Sequence, residues 1–99
     1  MPARLSIDGK RIEGFCKAHH VRRLALFGSV LRDDFGPDSD LDILVEFVPG
    51  LEPGLEFFAM QDELADMLGR RVDLNTPGFL SRHFRDRVVR EAEVIYEAS

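Results

Sequence analysis

The sequence has a single cysteine, no apolar run approaching the roughly 20 residues that a membrane-spanning helix needs, and fewer basic than acidic side chains. Each shortage excludes something. Cys16 alone cannot close an internal disulfide and suits a reducing compartment, so the cytoplasm is the expected location. The start Met1-Pro2-Ala3-Arg4 has no apolar stretch resembling a secretion signal, and a soluble protein without a membrane segment is expected. With 13 Lys and Arg against 18 Asp and Glu, the net charge of −5 disfavours sequence-independent attraction to nucleic-acid phosphates. Direct nucleic-acid binding is therefore not expected, and an anionic substrate has to be met locally. His19, His20 and His83 form no zinc-ligand spacing with Cys16, and no serine has a histidine and an acid partner nearby in sequence, which argues against zinc chemistry and a hydrolase triad. At 99 residues there is room for one domain, residues 1–99, and none for a second that would hold a substrate.

What is present is enough for one modest core, since 44% of the residues are hydrophobic. Ser6 or Asp8 is placed to cap a first helix in which Ile12, Phe15, Cys16 and His19 share a face, ending near His20. Residues 21–27, apolar-rich and stopped by Gly28, read as a strand. The 11 residues between Gly28 and Asp40 contain Gly36 and Pro37, which leaves space for a turn or two of helix around Val30 to Asp33. From Asp40 to Phe47 the pattern alternates, with Leu41, Ile43, Val45 and Phe47 on one face of a strand antiparallel to the first. Val48 to Gly54 is a loop within the domain. Leu55 to Leu68 keeps a helical period through Phe57, Met60 and Leu64 and ends at Gly69, and a third strand follows at about 71–75. Strand, helix, strand at this length implies parallel pairing and so a mixed sheet. After Pro77 the positions Leu80, Phe84, Val88, Ala92 and Ile95 line a last helix. The expected fold is α/β, a small mixed sheet of at least three strands with helices mainly on one face and the functional site on the open face.

The chemistry-bearing residues are Gly28-Ser29, then Ser39-Asp40-Leu41-Asp42, then Asp73 on the third strand. Alternation puts Asp40 and Asp42 on the same strand face with alpha carbons roughly 6.5 Å apart. Asp73, flanked by inward Val72 and Leu74, falls on the matching face. At an effective dielectric of about 20, like charges about 5 Å apart repel by roughly 3 kcal/mol per pair, so such a cluster calls for a cation. Oxygen-only ligands select Mg²⁺ or manganese over zinc, completed by water and substrate phosphates. Two such ions lower the barrier to in-line phosphoryl displacement, which fits nucleotidyl transfer with pyrophosphate leaving. Gly28 lets the backbone approach a ligand, and Ser29 offers a hydroxyl and an N–H to phosphate oxygens. Arg32, about one turn on, either contacts the same phosphates or sits in solvent.

This pattern resembles the signature of the polymerase beta nucleotidyltransferase superfamily: Gly28-Ser29, a short gap containing Arg32, then Ser39-Asp40-Leu41-Asp42, with Asp73 matching the family's third carboxylate. The apolar pattern from about Phe15 to Tyr96 is similar to the minimal, MNT-type antitoxins that pair with HEPN-domain toxins. The resemblance implies ATP as donor, Mg²⁺ as cofactor and AMP transfer to a hydroxyl, a tyrosine, of the partner toxin. It also assigns Gly28, Ser29, Arg32 and Ser39 to the nucleotide and Asp40, Asp42 and Asp73 to the metals. The chain departs from the family at Leu31 and Asp33, where many members have a small residue and glycine.

Other readings compete. Asp40 alone suits a turn, Asp73 suits a salt bridge with Arg70, Arg71 or a helix arginine, and Gly28-Ser29 suits a plain strand end. Arg82, Arg85, Arg87 and Arg90, interleaved with Asp86 and Glu91, read as a solvated helix face. Phe57 and Phe58 are expected to divide between core and surface. At the level of function, a non-catalytic antitoxin acting by steric cover, or one chain of a two-chain small-molecule transferase, are the alternatives.

Overall fold

Asp8 starts the first helix in the computed structural model, which describes residues 7–32, 35–36 and 38–98 apart from the side chain of Phe79. Its carboxylate accepts the backbone N–H of Lys10 at 3.0 Å and of Arg11 at 3.4 Å, supplying partners to donors that have none inside the helix. Helix α1, Gly9–Ala18, buries Ile12, Phe15 and Cys16. Burial pushes the Cys16 thiol up to about 12, so it packs as a small apolar group. Ser6, the alternative cap, lies outside the described residues, as do Asp33 and Pro37 in the later connection.

Strand β1 is Val21–Phe27 and β2 is Leu41–Phe47, paired antiparallel. A short 3-10 turn, Gly28–Leu31, occupies the start of the excursion between them. Helix α2, Glu56–Leu68, buries Met60 and Leu64 and ends at Gly69, whose φ of 65° is the left-handed conformation that glycine adopts without a side-chain clash. Strand β3, Val72–Asn75, then pairs parallel to β2. At the end of α1, His19 lies 3.3 Å from both Glu56 and Glu63 and ties α1 to α2.

Two expectations change at the C-terminal end. Helix α3 spans Arg82–Glu91 and stops there, with Ala92 in an extended conformation. Glu93–Glu97 is a strand, β4, paired antiparallel with the outer edge of β1, so Ile95 belongs to the sheet and not to the last helix. The four-residue spacing of Leu80, Phe84, Val88 and Ala92 runs into Val94-Ile95-Tyr96, a β-branched and aromatic triplet suited to a strand, and β1 would otherwise expose a row of unpaired backbone groups. The sheet order is β3-β2-β1-β4. The second change concerns layering: α1 and α2 cover one face, but α3 packs on the other, with Val88 against Ala25, Phe27 and Leu44. The face that carries the acidic residues is thus partly roofed.

Candidate active site

The parallel register sets Asp42 of β2 directly beside Asp73 of β3, and the antiparallel register sets Phe27 of β1 on the other side of Asp42. Directly opposed residues share a sheet face, so both carboxyls stand on the α3 side. Burial first, then the charges of Asp73 and Asp40, push the Asp42 carboxyl up to about 6, with Arg32 pulling the other way. A half-buried carboxyl next to a second one has an unmet demand for positive charge.

Gly28 follows β1 with a φ of 76° and lies against this pair. A Cβ at Gly28 would run into the Asp42 carboxylate oxygen Oδ2. Glycine is therefore required twice, by backbone conformation and by the close approach of a functional side chain. Ser29 is half-buried, and its carbonyl accepts the Arg32 N–H at 2.9 Å, closing the turn that delivers Arg32 to the site.

Asp40 keeps the outward alternation, with Leu41 and Ile43 buried between and beyond the two aspartates. It precedes β2, its side chain is 56% exposed, and its Oδ1 lies 3.0 Å from Arg71 Nε. Ser39 also turns to a local task, its Oγ accepting the Gly36 N–H at 3.1 Å. Arg70 and Arg71 hold this connection onto the start of β3. The Arg70 guanidinium stacks 4.1 Å from the Phe35 ring centroid and donates to the carbonyls of Gly36 and Ser39, while Arg71 donates to the Asp38 carbonyl at 2.6 Å. Arg71 thus pairs with Asp40 and not with Asp73. Among the described residues no three acidic or histidine side chains form a ready-made metal cluster. Asp42 and Asp73 are together, and Asp40 is a neighbour engaged by Arg71.

A cleft of about 600 Å³ opens at this pair. Phe27, Gly28, Leu31 and Arg32 line it from β1 and the following turn, and Asp42, Asp73 and Asn75 form its floor. Its remaining wall is α3 and the segment before it, through Leu80, Phe84, Arg87, Val88 and Glu91. Ser29, Ser39 and Asp40 are outside this lining. The α3 wall was not read from the sequence as part of a site. Arg82, Arg87 and Arg90 are exposed, as read, but Arg87 also borders the cleft and pairs with Glu91 at 3.3 Å, while the half-buried Arg85 donates to the Leu80 carbonyl. The spacing 80, 84, 87, 91 marks one helical face and was the available signal; its target depended on which sheet face the helix covers. Volume, mixed lining and paired carboxyls suit a small phosphorylated ligand. An all-oxygen donor pair with an unmet demand for positive charge fits a hard divalent cation, with Asp42 and Asp73 as holders and Asp40 available if Arg71 releases it.

Comparison with known proteins agrees with this geometry. Residues 10–96 match the model of the nucleotidyltransferase domain family. The protein adenylyltransferase MntA of Thermococcus cleftensis is 40% identical over 78 residues, 77% of this chain and 74% of that protein. A solved structure described as a minimal nucleotidyltransferase is 36% identical, with a TM-score of 0.71 and 85% of each chain covered. The fold also recurs, at 22% identity and a TM-score of 0.63 over 91% of this chain and 70% of that one, in a structure of the tri-AMPylated HEPN toxin of Shewanella oneidensis in complex with MNT antitoxin. No helix among the described residues is long and apolar enough to cross a membrane. A transferase fold with two adjoining strands presenting paired aspartates to a nucleotide-sized cleft, matched over nearly its whole length, places this chain in the nucleotidyltransferase domain family.

Proposed function

We propose that this protein acts as a single minimal domain in the cytoplasm and transfers AMP from ATP to a hydroxyl of a separate helical protein of the HEPN toxin kind. The observation that carries the reading is the Asp42–Asp73 pair on adjoining strands at the floor of the cleft. Two comparisons support the acceptor. The relative from Thermococcus cleftensis is named as a protein adenylyltransferase, and the Shewanella oneidensis HEPN toxin is AMP-bearing in its complex with an antitoxin of this fold.

Asp42 and Asp73, joined by Asp40, would hold two Mg²⁺ ions. When bound, these neutralise charge that builds on the transferred and leaving groups. The other steps fall to the chain's own residues. The missing Cβ of Gly28 makes room for the Asp42 carboxylate, and Ser29 with Arg32 donates to the triphosphate. Ser39 is assigned to the nucleotide through the loop it closes, which sets the position of Asp40. Asp73, exposed in the cleft beside Asp42, orients the attacking hydroxyl and accepts its proton. The complex of an AMPylated HEPN toxin with an MNT antitoxin supports a separate protein as the acceptor.

The test is transfer of label from α-labelled ATP to the co-purified partner protein. Label is expected on a hydroxyl of the partner with the wild-type chain and to be lost with Asp42→Asn. Labelling that survives Asp42→Asn ends the catalytic reading.

A further inference from the structure

Leu31 and Phe84 are the large apolar side chains of the cleft that stay well exposed, at 38% and 48%. Neither joins the packed clusters on the two sheet faces, whereas Phe27 and Val88 are buried in one of them and Leu80, partly buried, packs against it. Leu31 comes from the turn after β1 and Phe84 from α3, so the two approach the cleft from different elements. Burying an apolar side chain contributes about 1.5–3 kcal/mol, and these two leave much of that unrealised in the free chain. They line the same cleft as the polar side chains of Asp42, Asp73 and Asn75.

We propose that Phe84 and Leu31 form the nucleobase slot of the nucleotide site, an inference that rests on the transferase reading above. A nucleoside triphosphate divides chemically into an anionic tail and a flat aromatic head. The tail belongs with the carboxylate floor and Arg32. The head then has to lie along an apolar wall, where the Phe84 ring offers a π face for stacking and Leu31 offers aliphatic cover. The exposed bulk of Leu31 becomes a contact surface in this arrangement. At about 600 Å³ the cleft suits one ligand of nucleotide size, and the acceptor approaches from the mouth. Neither side chain carries a hydrogen-bonding group, so this slot holds purines and pyrimidines by area and stacking without reading their edges.

Calorimetry on the full chain with Mg²⁺ tests the slot, using ATP, GTP, CTP and, as a probe without a base, tripolyphosphate. Phe84→Ala is expected to weaken all three nucleotides by about 5- to 100-fold while leaving tripolyphosphate binding unchanged. Phe84→Tyr should bind as the wild type does, because it keeps the ring, and Leu31→Ala should lose affinity in the same nucleotide-only manner but less. Nucleotide binding undiminished in Phe84→Ala, or tripolyphosphate falling in parallel with ATP, overturns the slot while leaving the transferase reading in place. A wild-type chain that binds neither ATP nor tripolyphosphate overturns both.

Discussion

The two faces of the sheet are built from alternate residues of the same strands, yet they differ in kind. On the α1 and α2 side, Leu24, Leu26, Leu41, Ile43 and Val45 are sealed from solvent together with Met60 and Leu64. On the α3 side the packed group is small, Ala25, Phe27, Leu44 and Val88, and gives way to a cleft with paired carboxyls. One face has its polar demand removed by sequence alone. The other keeps a half-buried carboxyl beside a second one, an arrangement that is costly for a fold and typical of functional sites. Stability and chemistry are therefore separable by strand parity, and mutations one residue apart should report on different properties.

The sealed face should show the largest effect. Leu64→Ala is expected to lower unfolding free energy by about 2–5 kcal/mol, read by denaturant titration, while the molecules that remain folded keep their transfer rate. Next, Asp42→Asn should reduce transfer by about 100-fold or more with no loss of stability, measured by initial rates and by thermal melting of the same sample. A large drop in melting temperature with Asp42→Asn would break the separation of the two faces. Gly28→Ala lies between these cases, since it forces a left-handed φ on alanine and drives a methyl into Asp42. It should cost about 1–3 kcal/mol of stability and impair transfer together, the one position where both faces of the comparison respond.

Smaller effects sharpen the same contrast. The Asp42 carboxyl sits at about 6 against an ordinary 3.8, so the fold favours its neutral form. The stability this contributes is complete below pH 4 and is lost as pH rises through 6. After allowance for solvent screening the change is about 1 kcal/mol, and in metal-free protein Asp42→Asn should abolish it, as followed by unfolding at pH 4 and pH 8. The smallest change is expected from Arg71→Ala. Its exposed pair with Asp40 is worth about 0–1 kcal/mol, so freeing Asp40 should tighten Mg²⁺ binding by up to about fivefold, measured by calorimetry. Weaker Mg²⁺ binding in that variant would mean that Arg71 helps to place Asp40 and does not compete for it.

Strand β1, helix α2 and the Gly69 stop were legible because each is written in local pattern: an apolar run ended by glycine, a four-residue period, a left-handed cap. The pairing of Asp42 with Asp73 was legible for a related reason, since strand alternation and the length of the β2-α2-β3 connection together imply parallel neighbours. Asp40 was read as the first residue of the strand, which begins one residue later, and its pairing with Arg71 was not read. Which of several nearby arginines takes an exposed aspartate depends on side-chain reach across two elements, and sequence spacing carries no information about it. Strand β4 was missed because Ile95 continued a helical spacing by coincidence, while the edge of β1 that selects a strand there is 70 residues distant in the chain.

The order of residues determined by itself the elements, their caps and the side of each strand on which every residue falls, because those follow from backbone periodicity within a few neighbours. Only the tertiary structure decided that α3 lies over the acidic face and that the last residues extend the sheet. It also decided that Leu31 and Phe84, far apart in the chain, border one cleft. These depend on which surfaces remain uncovered once the first core has closed, a property of the assembled layers that no local window contains.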